Sequence, residues 1–396
     1  MIMMSHICRV YDPFPIQIER AKGLYIYSKD GKRYLDSFSG IGVLAFGHND
    51  EDIKKAMIEK MERYTHISNF FLDEDAEIVS EELIRRTGRN GKVFFANSGA
   101  EANEAALKAI KKLRKGLIVS FEKNFHGRTV ATLSLTGFEK LKKPFEPLLP
   151  DVVFLPYNDV RAFEEFVKKN GKKIAAVFVE CVHGSGGLNV LSHELSKLIM
   201  EAKQSFGFLL VADEVQAGLG RTGKFFSYQH FGLQPDIVTV AKALGGGLPL
   251  GAAIFLDDIA DVFGHSEHGS TFAPNPVALA GARVVLRKLT EEFIELVARK
   301  GVFFRERLSR MDSARVKIKG LGLMIGVEVD VDAKLLKEAA FENGLLLNIV
   351  SNNVVRFLPA LNISFEGIEE MVDLFERSLK EAYGRNHVEK VDSPKS

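Results

Sequence analysis

Residues 208–216 read Phe-Leu-Leu-Val-Ala-Asp-Glu-Val-Gln, an apolar run that ends in two adjacent carboxylates. Continuous rather than alternating hydrophobicity predicts a strand buried on both faces, as in a parallel sheet covered by helices. Five further apolar runs of this kind are separated by helix-like stretches: 92–96, 117–120, 175–179, 237–240 and 252–255. The sequence therefore predicts an α/β fold whose large domain has a mainly parallel sheet.

The pattern changes on both sides of this predicted core. Asp30-Gly31 lies between two alternating apolar segments, 25–27 and 33–35, which predicts a β-hairpin. Towards the end of the chain we expect a helix over 276–299, strands at 316–320 and 323–328, a helix over 333–343 ending at Gly344, strands at 345–350 and 354–358, a helix over 367–383 and a frayed tail over 385–396. The sequence thus predicts three parts: an N-terminal segment (1–45) that joins the small domain, a large domain (46–280) and a smaller α+β domain (281–396).

Composition and charge exclude several functional classes. The chain of 396 residues has 53 basic and 52 acidic side chains, a net charge of +1, which argues against nucleic acid or an anionic membrane as the main partner. Its two cysteines are too few for a disulfide framework and fit a reducing compartment. Because we find neither a secretory signal nor an apolar run of about 20 residues, we expect a cytoplasmic protein.

Three stretches place polar residues directly after predicted strands, where open α/β sheets bind their ligands. Residues 96–101 open a helix whose N-terminus and Ser98 hydroxyl favour an anion, although an ordinary helix cap has the same pattern. Asp213 and Glu214 point to opposite faces of a strand, so that one can meet a cationic ligand while the other is structural. Lys242 lies between a strand and three glycines, where a partly desolvated lysine is a candidate Schiff-base nucleophile, although surface lysines are common.

Together these stretches supply what pyridoxal phosphate needs, which is an anion site, an acid for its pyridine nitrogen and a lysine. Their order closely resembles class III aminotransferases of fold type I, in the acetylornithine, ornithine and 4-aminobutyrate aminotransferase branch. The resemblance covers nearly the whole chain, from Lys22-Gly23-Leu24-Tyr25 to Val355-Arg356-Phe357-Leu358-Pro359. It includes Phe125-His126-Gly127-Arg128-Thr129 and Ser270-Thr271-Phe272.

The resemblance implies a role for each matching residue of the cofactor site. Lys242 would form the Schiff base and move a proton between substrate and cofactor, and Asp213 would pair with the pyridinium nitrogen. The other cofactor-binding residues would contact the ring or the phosphate: Val215 and Phe125 on the two ring faces with His126 beside them, Gln216 at the 3′ oxygen, Ser98, Gly99 and Ala100 at the phosphate, and Thr271 at the phosphate from a second subunit. The family thereby implies a homodimer with shared active sites.

Substrate recognition is expected from two arginines, because a guanidinium can bind a carboxylate through two hydrogen bonds. By resemblance, Arg356 meets the α-carboxylate of an amino or oxo acid, and Arg128 meets a carboxylate at the far end of the substrate. Either arginine could instead be a structural ion-pair partner. Glu180 and Ser270 are also expected near the substrate.

The chain departs from the family where it reads Glu180-Cys181-Val182-His183-Gly184-Ser185 in place of Glu-Pro-Ile-Gln-Gly-Glu. In the family the second glutamate pairs with the arginine at the Arg356 position. Because Ser185 carries no charge, we hypothesise that Arg356 stays available for an α-carboxylate, which favours donors such as alanine or glutamate. His183 could supply part of the missing partnership.

Three further features of this chain do not indicate a catalytic role. Cys181 and His183 share one face of a strand, but a packed cysteine explains them better than a catalytic dyad. The histidines show no ligand spacing, so we expect no metal site. Ala273-Pro274 replaces the usual glycine pair and predicts a stiffer backbone near Thr271.

The sequence therefore predicts a pyridoxal-phosphate-dependent aminotransferase that moves an amino group from an amino acid to a 2-oxo acid such as 2-oxoglutarate or pyruvate. An amino-acid racemase or aminomutase on the same scaffold is the alternative, and it would need no oxo-acid acceptor. A non-catalytic α/β binding protein is a third possibility, against which the lysine, the aspartate and the phosphate turn all argue.

Overall fold

The strands of the protein form three sheets. The structure, a computed structural model, describes residues 6–311 and 316–392. The strands are β1 Ile18–Lys22, β2 Tyr25–Ser28, β3 Arg33–Asp36, β4 Gly91–Ala96, β5 Leu117–Phe121, β6 Val152–Leu155, β7 Ile174–Val179, β8 Leu209–Asp213, β9 Ile237–Val240, β10 Gly251–Leu256, β11 Val316–Leu321, β12 Met324–Val329, β13 Leu345–Leu346, β14 Ile349–Val350 and β15 Val354–Phe357.

The helices cover the sheets and connect their strands. They are α1 Ser39–Gly42, α2 Glu51–Arg63, α3 Glu74–Arg85, α4 Gly99–Leu113, α5 Val130–Leu135, α6 Glu139–Lys142, α7 Val160–Asn170, α8 His193–Phe206, α9 Pro276–Lys288, α10 Glu291–Ser309, α11 Ala333–Glu342 and α12 Phe365–Asp392. Within the described residues, none of these helices has the length and apolar character that crossing a membrane requires.

The central sheet has seven strands in the order β4-β10-β9-β8-β7-β5-β6. Strands β5 to β9 pair in parallel, whereas β10 is antiparallel to both of its neighbours, β9 and β4. Two reversals bring β4 into the same direction as β8 and β9, so that the carboxyl ends of all three lie at one edge. The predicted α/β class with a mainly parallel sheet is confirmed, and β6 is a strand that the sequence did not predict.

Two smaller sheets, each of four strands, complete the fold. The predicted hairpin is confirmed as the pair β2–β3, and β13 extends it by pairing in parallel with β3. A second small sheet has the order β11-β12-β15-β14, in which Gly326 lies opposite Arg356. The start of the chain and its C-terminal part thus share a sheet, while the exact domain boundaries stay a prediction.

Three predicted elements differ from the structure. The single helix over 276–299 is wrong, because α9 ends at Lys288 and Thr290 caps a separate helix, α10, by accepting a hydrogen bond from the Phe293 N–H. The strand over 345–350 is also wrong, because β13 and β14 belong to different sheets. The tail predicted to fray is helical from Arg385 to Asp392, and residues 393–396 lie outside the described part of the chain.

Candidate active site

The three polar stretches converge at the carboxyl edge of the central sheet. Ser98 follows β4, Asp213 ends β8, and Lys242 follows β9. The backbone around them is packed closely, since a Cβ atom at Gly251 would lie 2.4 Å from the Ser98 carbonyl oxygen. Likewise, a Cβ at Gly127 would lie 3.0 Å from the Cβ of Ala100. The structure therefore brings the anion turn, the acid, the lysine and the Phe125-His126-Gly127 loop into one site.

The turn at Ser98 is both a helix cap and an open anion site. Ser98 is the N-cap of α4, and its Oγ accepts a hydrogen bond from the Glu101 N–H at 3.2 Å. The N–H groups of Gly99 and Ala100 lie in the first turn, where no intrahelical acceptor exists, and the helix dipole adds positive potential there. A Cβ at Gly99 would lie 2.6 Å from Val215 Cγ1, so glycine is required for this close approach.

Asp213 is held by a buried network that the sequence did not predict in full. Its Oδ2 accepts hydrogen bonds from Asn103 Nδ2 at 2.8 Å and from His126 Nδ1 at 2.7 Å. Thr239 Oγ1 donates to Asn103 Oδ1 at 2.8 Å, which fixes the orientation of the amide. Asp213 Oδ1 accepts from the Val215 N–H at 3.1 Å. Neither Asn103 nor Thr239 carries a local sequence signal, because both lie within regular elements.

Glu214 points away from this network into the protein. Its carboxylate accepts hydrogen bonds from the Ser227 N–H and Oγ, each at 2.7 Å, and from the Tyr228 N–H at 2.9 Å. Burial raises the pKa of Glu214 to about 7. Of the two adjacent acids, Asp213 therefore faces the site and Glu214 anchors the segment at Ser227.

Lys242 lies at the end of β9 in a left-handed backbone conformation, with φ +49°. Among the described residues, its amine makes no hydrogen bond or ion pair. Burial lowers the pKa of Lys242 to about 8, although the Asp213 charge acts in the opposite direction. A lysine in this condition has a much larger neutral fraction near neutral pH than an ordinary lysine and can act as a nucleophile and a base.

Arg356 is a buried cation whose acceptors are all neutral. The residue is 4% exposed, and its guanidinium donates to Asn348 Oδ1 at 2.7 and 3.0 Å, to the Gly184 carbonyl at 2.6 Å and to Gln216 Oε1 at 3.2 Å. Burial lowers the pKa of Arg356 to about 10, against the opposing effect of the Glu180 charge. Within the described residues no carboxylate forms an ion pair with this side chain. Asn348 is a further residue of the site that the sequence did not reveal.

Glu180 connects the Phe125 loop to the turn at Gly184. Its Oε2 accepts from the Phe125 N–H at 2.7 Å, and its Oε1 accepts from the Gly184 N–H at 3.1 Å. Burial, and next the charge of Asp213, raise the pKa of Glu180 to about 7. Glu180 thus holds two loops of the site in register through backbone N–H groups.

His183 contributes no charge to the site. Its ring centroid lies 3.8 Å from that of Tyr157, and neither ring nitrogen has a hydrogen-bond partner in the described residues. Burial lowers the pKa of His183 to about 3, so the ring is neutral near pH 7. The possible partnership with Arg356 is therefore wrong. A Cys181–His183 dyad is likewise contradicted, because no hydrogen bond joins them and burial raises the pKa of the Cys181 thiol well above its usual value.

Comparison with known proteins identifies the family. The profile of the family described as "Aminotransferase class-III" matches residues 7–379. The chain belongs to the class III aminotransferases. The acetylornithine aminotransferase of Aquifex aeolicus (strain VF5) is 38% identical to it over 382 residues, covering 95% of this chain and 100% of the relative. That of Bacillus cereus (strain ATCC 14579) is 40% identical over 381 residues, covering 95% of this chain and 97% of the relative.

Solved structures give the same result for the fold of this aminotransferase. An ornithine aminotransferase structure from Toxoplasma gondii superposes with a TM-score of 0.89 at 30% identity, covering 97% of this chain and 93% of the other. That structure has partial occupancy of pyridoxal phosphate at its active site. The N-acetylornithine aminotransferase of Stenotrophomonas maltophilia K279a has a TM-score of 0.81 at 30% identity, with coverages of 95% and 98%. The predicted enzyme class and the predicted cofactor, pyridoxal phosphate, are confirmed.

The geometry of the aminotransferase site fits this cofactor. The first turn of α4 offers two N–H groups and a glycine with no room for a side chain, as a phosphate requires. Asp213 offers a buried carboxylate, and the Lys242 amine has no partner in the described residues. The bound cofactor supplies an electron sink for amino-group transfer.

The remaining predicted residues, Arg128, Ser270 and Thr271, are exposed or partly exposed. Arg128 is exposed, and its guanidinium carbon lies 5.5 Å from the centre of the Phe125 ring. Ser270 Oγ accepts a hydrogen bond from Asn97 Nδ2 at 3.2 Å, which ties this segment to the turn at Ser98. Thr271 is exposed. The individual roles of these residues stay predictions.

Proposed function

We propose that this aminotransferase moves the amino group of an α-amino acid, such as alanine or glutamate, to a 2-oxo acid such as 2-oxoglutarate or pyruvate. The observation that carries the proposal is the buried Arg356 guanidinium, which has only neutral acceptors in the described residues. A buried charge is stabilised by an ionic partner, and a substrate carboxylate supplies one with charge-assisted hydrogen bonds. Arg356 then holds the α-carboxylate, and the substrate amino group is directed towards Lys242.

Ser185 supports this choice of substrate. Its side chain carries no charge, and its carbonyl oxygen accepts a hydrogen bond from Ser351 Oγ at 3.1 Å. This contact ties the turn at Gly184 to the segment just before β15. Since this turn offers no acid to Arg356, no negative charge there competes with a substrate carboxylate.

The cofactor-binding roles are part of the same proposal. Lys242 would hold the cofactor covalently and serve as the proton-transferring base, and Asp213, supported by His126, would keep the pyridine nitrogen protonated. Val215 and Phe125 would contact the ring. Gln216, whose Oε1 accepts a hydrogen bond from Arg356 at 3.2 Å, would contact the 3′ oxygen. Ser98, Gly99 and Ala100 would bind the phosphate.

We further propose a homodimer in which Thr271 reaches the phosphate site of the other subunit. Large apolar side chains are exposed next to this segment, with Phe70 95% and Leu72 101% exposed and Phe71 and Phe272 also largely exposed. Asn69 Nδ2 donates to the carbonyls of Ser270 and Ala273, so the two segments form one surface. Exposed apolar surface of this kind is typical of a subunit interface. Sedimentation equilibrium of the wild type and of Phe272→Glu tests it, and a monomeric wild type would contradict it.

We also propose a cytoplasmic location, supported by the two free cysteines. Retention of the protein in the cytosolic fraction after cell fractionation is the expected result.

The substrate proposal is tested by comparing kcat/KM for L-alanine, L-glutamate, acetylornithine and 4-aminobutyrate. We expect the two α-amino donors to react best, because Arg356 requires an α-carboxylate next to the reacting amine. A clear preference for acetylornithine and 4-aminobutyrate would contradict the proposal and favour the activity named for the acetylornithine aminotransferases. Racemisation of alanine without any oxo acid would instead favour the isomerase alternative.

A further inference from the structure

Arg221 is a buried arginine outside the cofactor and substrate contacts described above. It is 3% exposed, and its Nη1 donates to the carbonyls of Leu323 at 3.1 Å and Pro359 at 2.5 Å. The backbone of Arg221 adds a third contact, since its own carbonyl accepts from the Leu323 N–H at 3.0 Å. We call Arg221, Leu323 and Pro359 the Arg221 clamp.

Arg221 forms no ion pair with any of the described residues. Among the described residues no carboxylate contacts it, and burial alone lowers the pKa of its guanidinium to about 9. Burying a charge with neutral acceptors costs free energy, and apolar side chains of similar volume often give equal or better stability. What an arginine supplies here and an apolar side chain does not is the planar Nη1 group, whose two N–H bonds form a rigid fork that holds two carbonyl groups at a set separation.

The two carbonyls lie at one end of the strand pair that carries Arg356. Leu323 precedes β12 and Pro359 follows β15, and these strands place Gly326 opposite Arg356. The backbones are in close contact at this end, since a Cβ at Gly322 would lie 2.5 Å from the Thr222 carbonyl carbon. A change in the Arg221 clamp is therefore transmitted directly to β15.

The other end of the Arg221 segment reaches the cofactor-binding residues. After β8 ends at Asp213, the chain runs through Val215 and Gln216 to Arg221 in a series of turns. Gln216 Oε1 accepts from Arg356, so the segment touches the strand pair at two points, one at each end. These two contacts set how far Arg356 lies from Asp213 and Lys242.

We propose that Arg221 is a positioning residue, which sets the separation between the cofactor-binding segment and Arg356 and thereby the place of the substrate α-carboxylate. The positioning role rests on the proposed function, because it takes Arg356 as the group that binds the carboxylate. Arg221 itself touches neither substrate nor cofactor.

The test uses the holoenzyme and the variants Arg221→Met, Arg221→Lys, Lys300→Met and Arg356→Met. Lys300 is the matched control, because it is a second buried cation whose Nζ donates to a neutral carbonyl, that of Leu361 at 3.1 Å, outside the strand pair. Titration calorimetry measures the affinity for glutarate, a dicarboxylate with no reacting group. The rate of reaction of the cofactor with hydroxylamine, a probe without a carboxylate, measures the Lys242 side of the site.

We expect Arg221→Met to weaken glutarate binding and to raise the KM for 2-oxoglutarate, each by about 10- to 100-fold, since small misplacements of a positioned group have effects of this size. The hydroxylamine rate should stay at the wild-type value. Arg221→Lys keeps the charge without the fork and should show a smaller loss, whereas Lys300→Met should bind glutarate like the wild type. If Arg221→Met does not fold, as judged by circular dichroism, Arg221→Lys decides by the same criteria.

Unchanged glutarate affinity in the Arg221 variants overturns the positioning role, and so does an equal loss in Lys300→Met or a parallel loss of the hydroxylamine rate. Arg356→Met separates this failure from failure of the proposed function. If Arg356→Met also leaves glutarate binding unchanged, the carboxylate site itself is misplaced. If only Arg356→Met weakens it, the proposed function stands and the positioning role does not.

Discussion

The two halves of the active site differ in how their buried charges are compensated by neighbouring groups. On the cofactor side, Asp213 receives hydrogen bonds from Asn103 and His126, and Asn103 is itself oriented by Thr239. On the substrate side, Arg356 donates, as far as the described part of the chain shows, only to neutral oxygens, those of Asn348, Gly184 and Gln216. The cofactor side is thus organised within the chain in advance, whereas the substrate side keeps a cation that an incoming anion can satisfy.

The largest expected effect comes from the residue that links the two halves. Lys242→Ala should lower kcat by about 10⁴-fold or more, because it removes both the covalent attachment and the proton-transferring base. Circular dichroism should show an unchanged fold. The exposed Lys224→Ala is the control and should keep wild-type activity. A loss of kcat in Lys242→Ala much smaller than about 10⁴-fold would refute the assignment.

The substrate side is tested by Arg356→Met, compared with Arg128→Met. Losing a hydrogen bond to a charged group costs about 1.5–3 kcal/mol, so Arg356→Met should raise the KM for both pyruvate and 2-oxoglutarate. Arg128→Met should raise the KM for 2-oxoglutarate alone, since pyruvate has no second carboxylate. Steady-state kinetics with the two oxo acids measure both effects, and an unchanged KM for pyruvate in Arg356→Met would mean that the α-carboxylate binds elsewhere.

The cofactor side is tested by Asn103→Leu. This change removes the amide that orients Asp213 and should weaken pyridoxal phosphate binding by about 1–2 kcal/mol, as for a lost buried hydrogen bond. Thr239→Val acts only through Asn103 and should have a smaller effect. Equilibrium dialysis of the cofactor measures both, and a Thr239→Val effect larger than that of Asn103→Leu would contradict this order.

The smallest expected effects concern stability, because the contributions of the buried Glu214 and the buried His183 depend on pH in opposite directions. The pKa of Glu214 is raised to about 7, so its stabilisation is present below about pH 4.5 and is lost as the pH rises through 7. The pKa of His183 is lowered to about 3, so its stabilisation is present above about pH 6.5 and is lost as the pH falls towards 3. In both residues burial disfavours the charged form.

The measurement is the Tm of each variant relative to the wild type across this pH range. The relative Tm of Glu214→Gln should rise from pH 5 to pH 8, because the wild type loses stability there. That of His183→Phe should fall from pH 4 to pH 7. Parallel curves for the two variants would show that burial does not act on these groups as described.

The order of elements in the core and the chemistry of the site could be predicted because both depend on local patterns. Continuous apolar runs marked β4, β5, β7, β8, β9 and β10, and glycines next to Lys242 and Ser98 marked the turns that follow strands. The break between α9 and α10 was missed, since Thr290 differs from other threonines only by the hydrogen bond it accepts. The separation of β13 from β14 was missed because β13 pairs with β3, which is far away in the chain, whereas β14 pairs with its near neighbour β15.

By itself, the sequence of this aminotransferase determined the α/β class, the turn at Ser98, the acid pair at Asp213 and the lysine at 242, because strand burial and the turn-forming residues are encoded over a few neighbouring positions. Only the tertiary structure decided that Glu214 is anchored at Ser227, that Asn103 holds Asp213, that His183 is neutral and that Arg356 has no acidic partner in the described residues. Each of these depends on which distant side chains are brought together and on how much water is excluded around a charge.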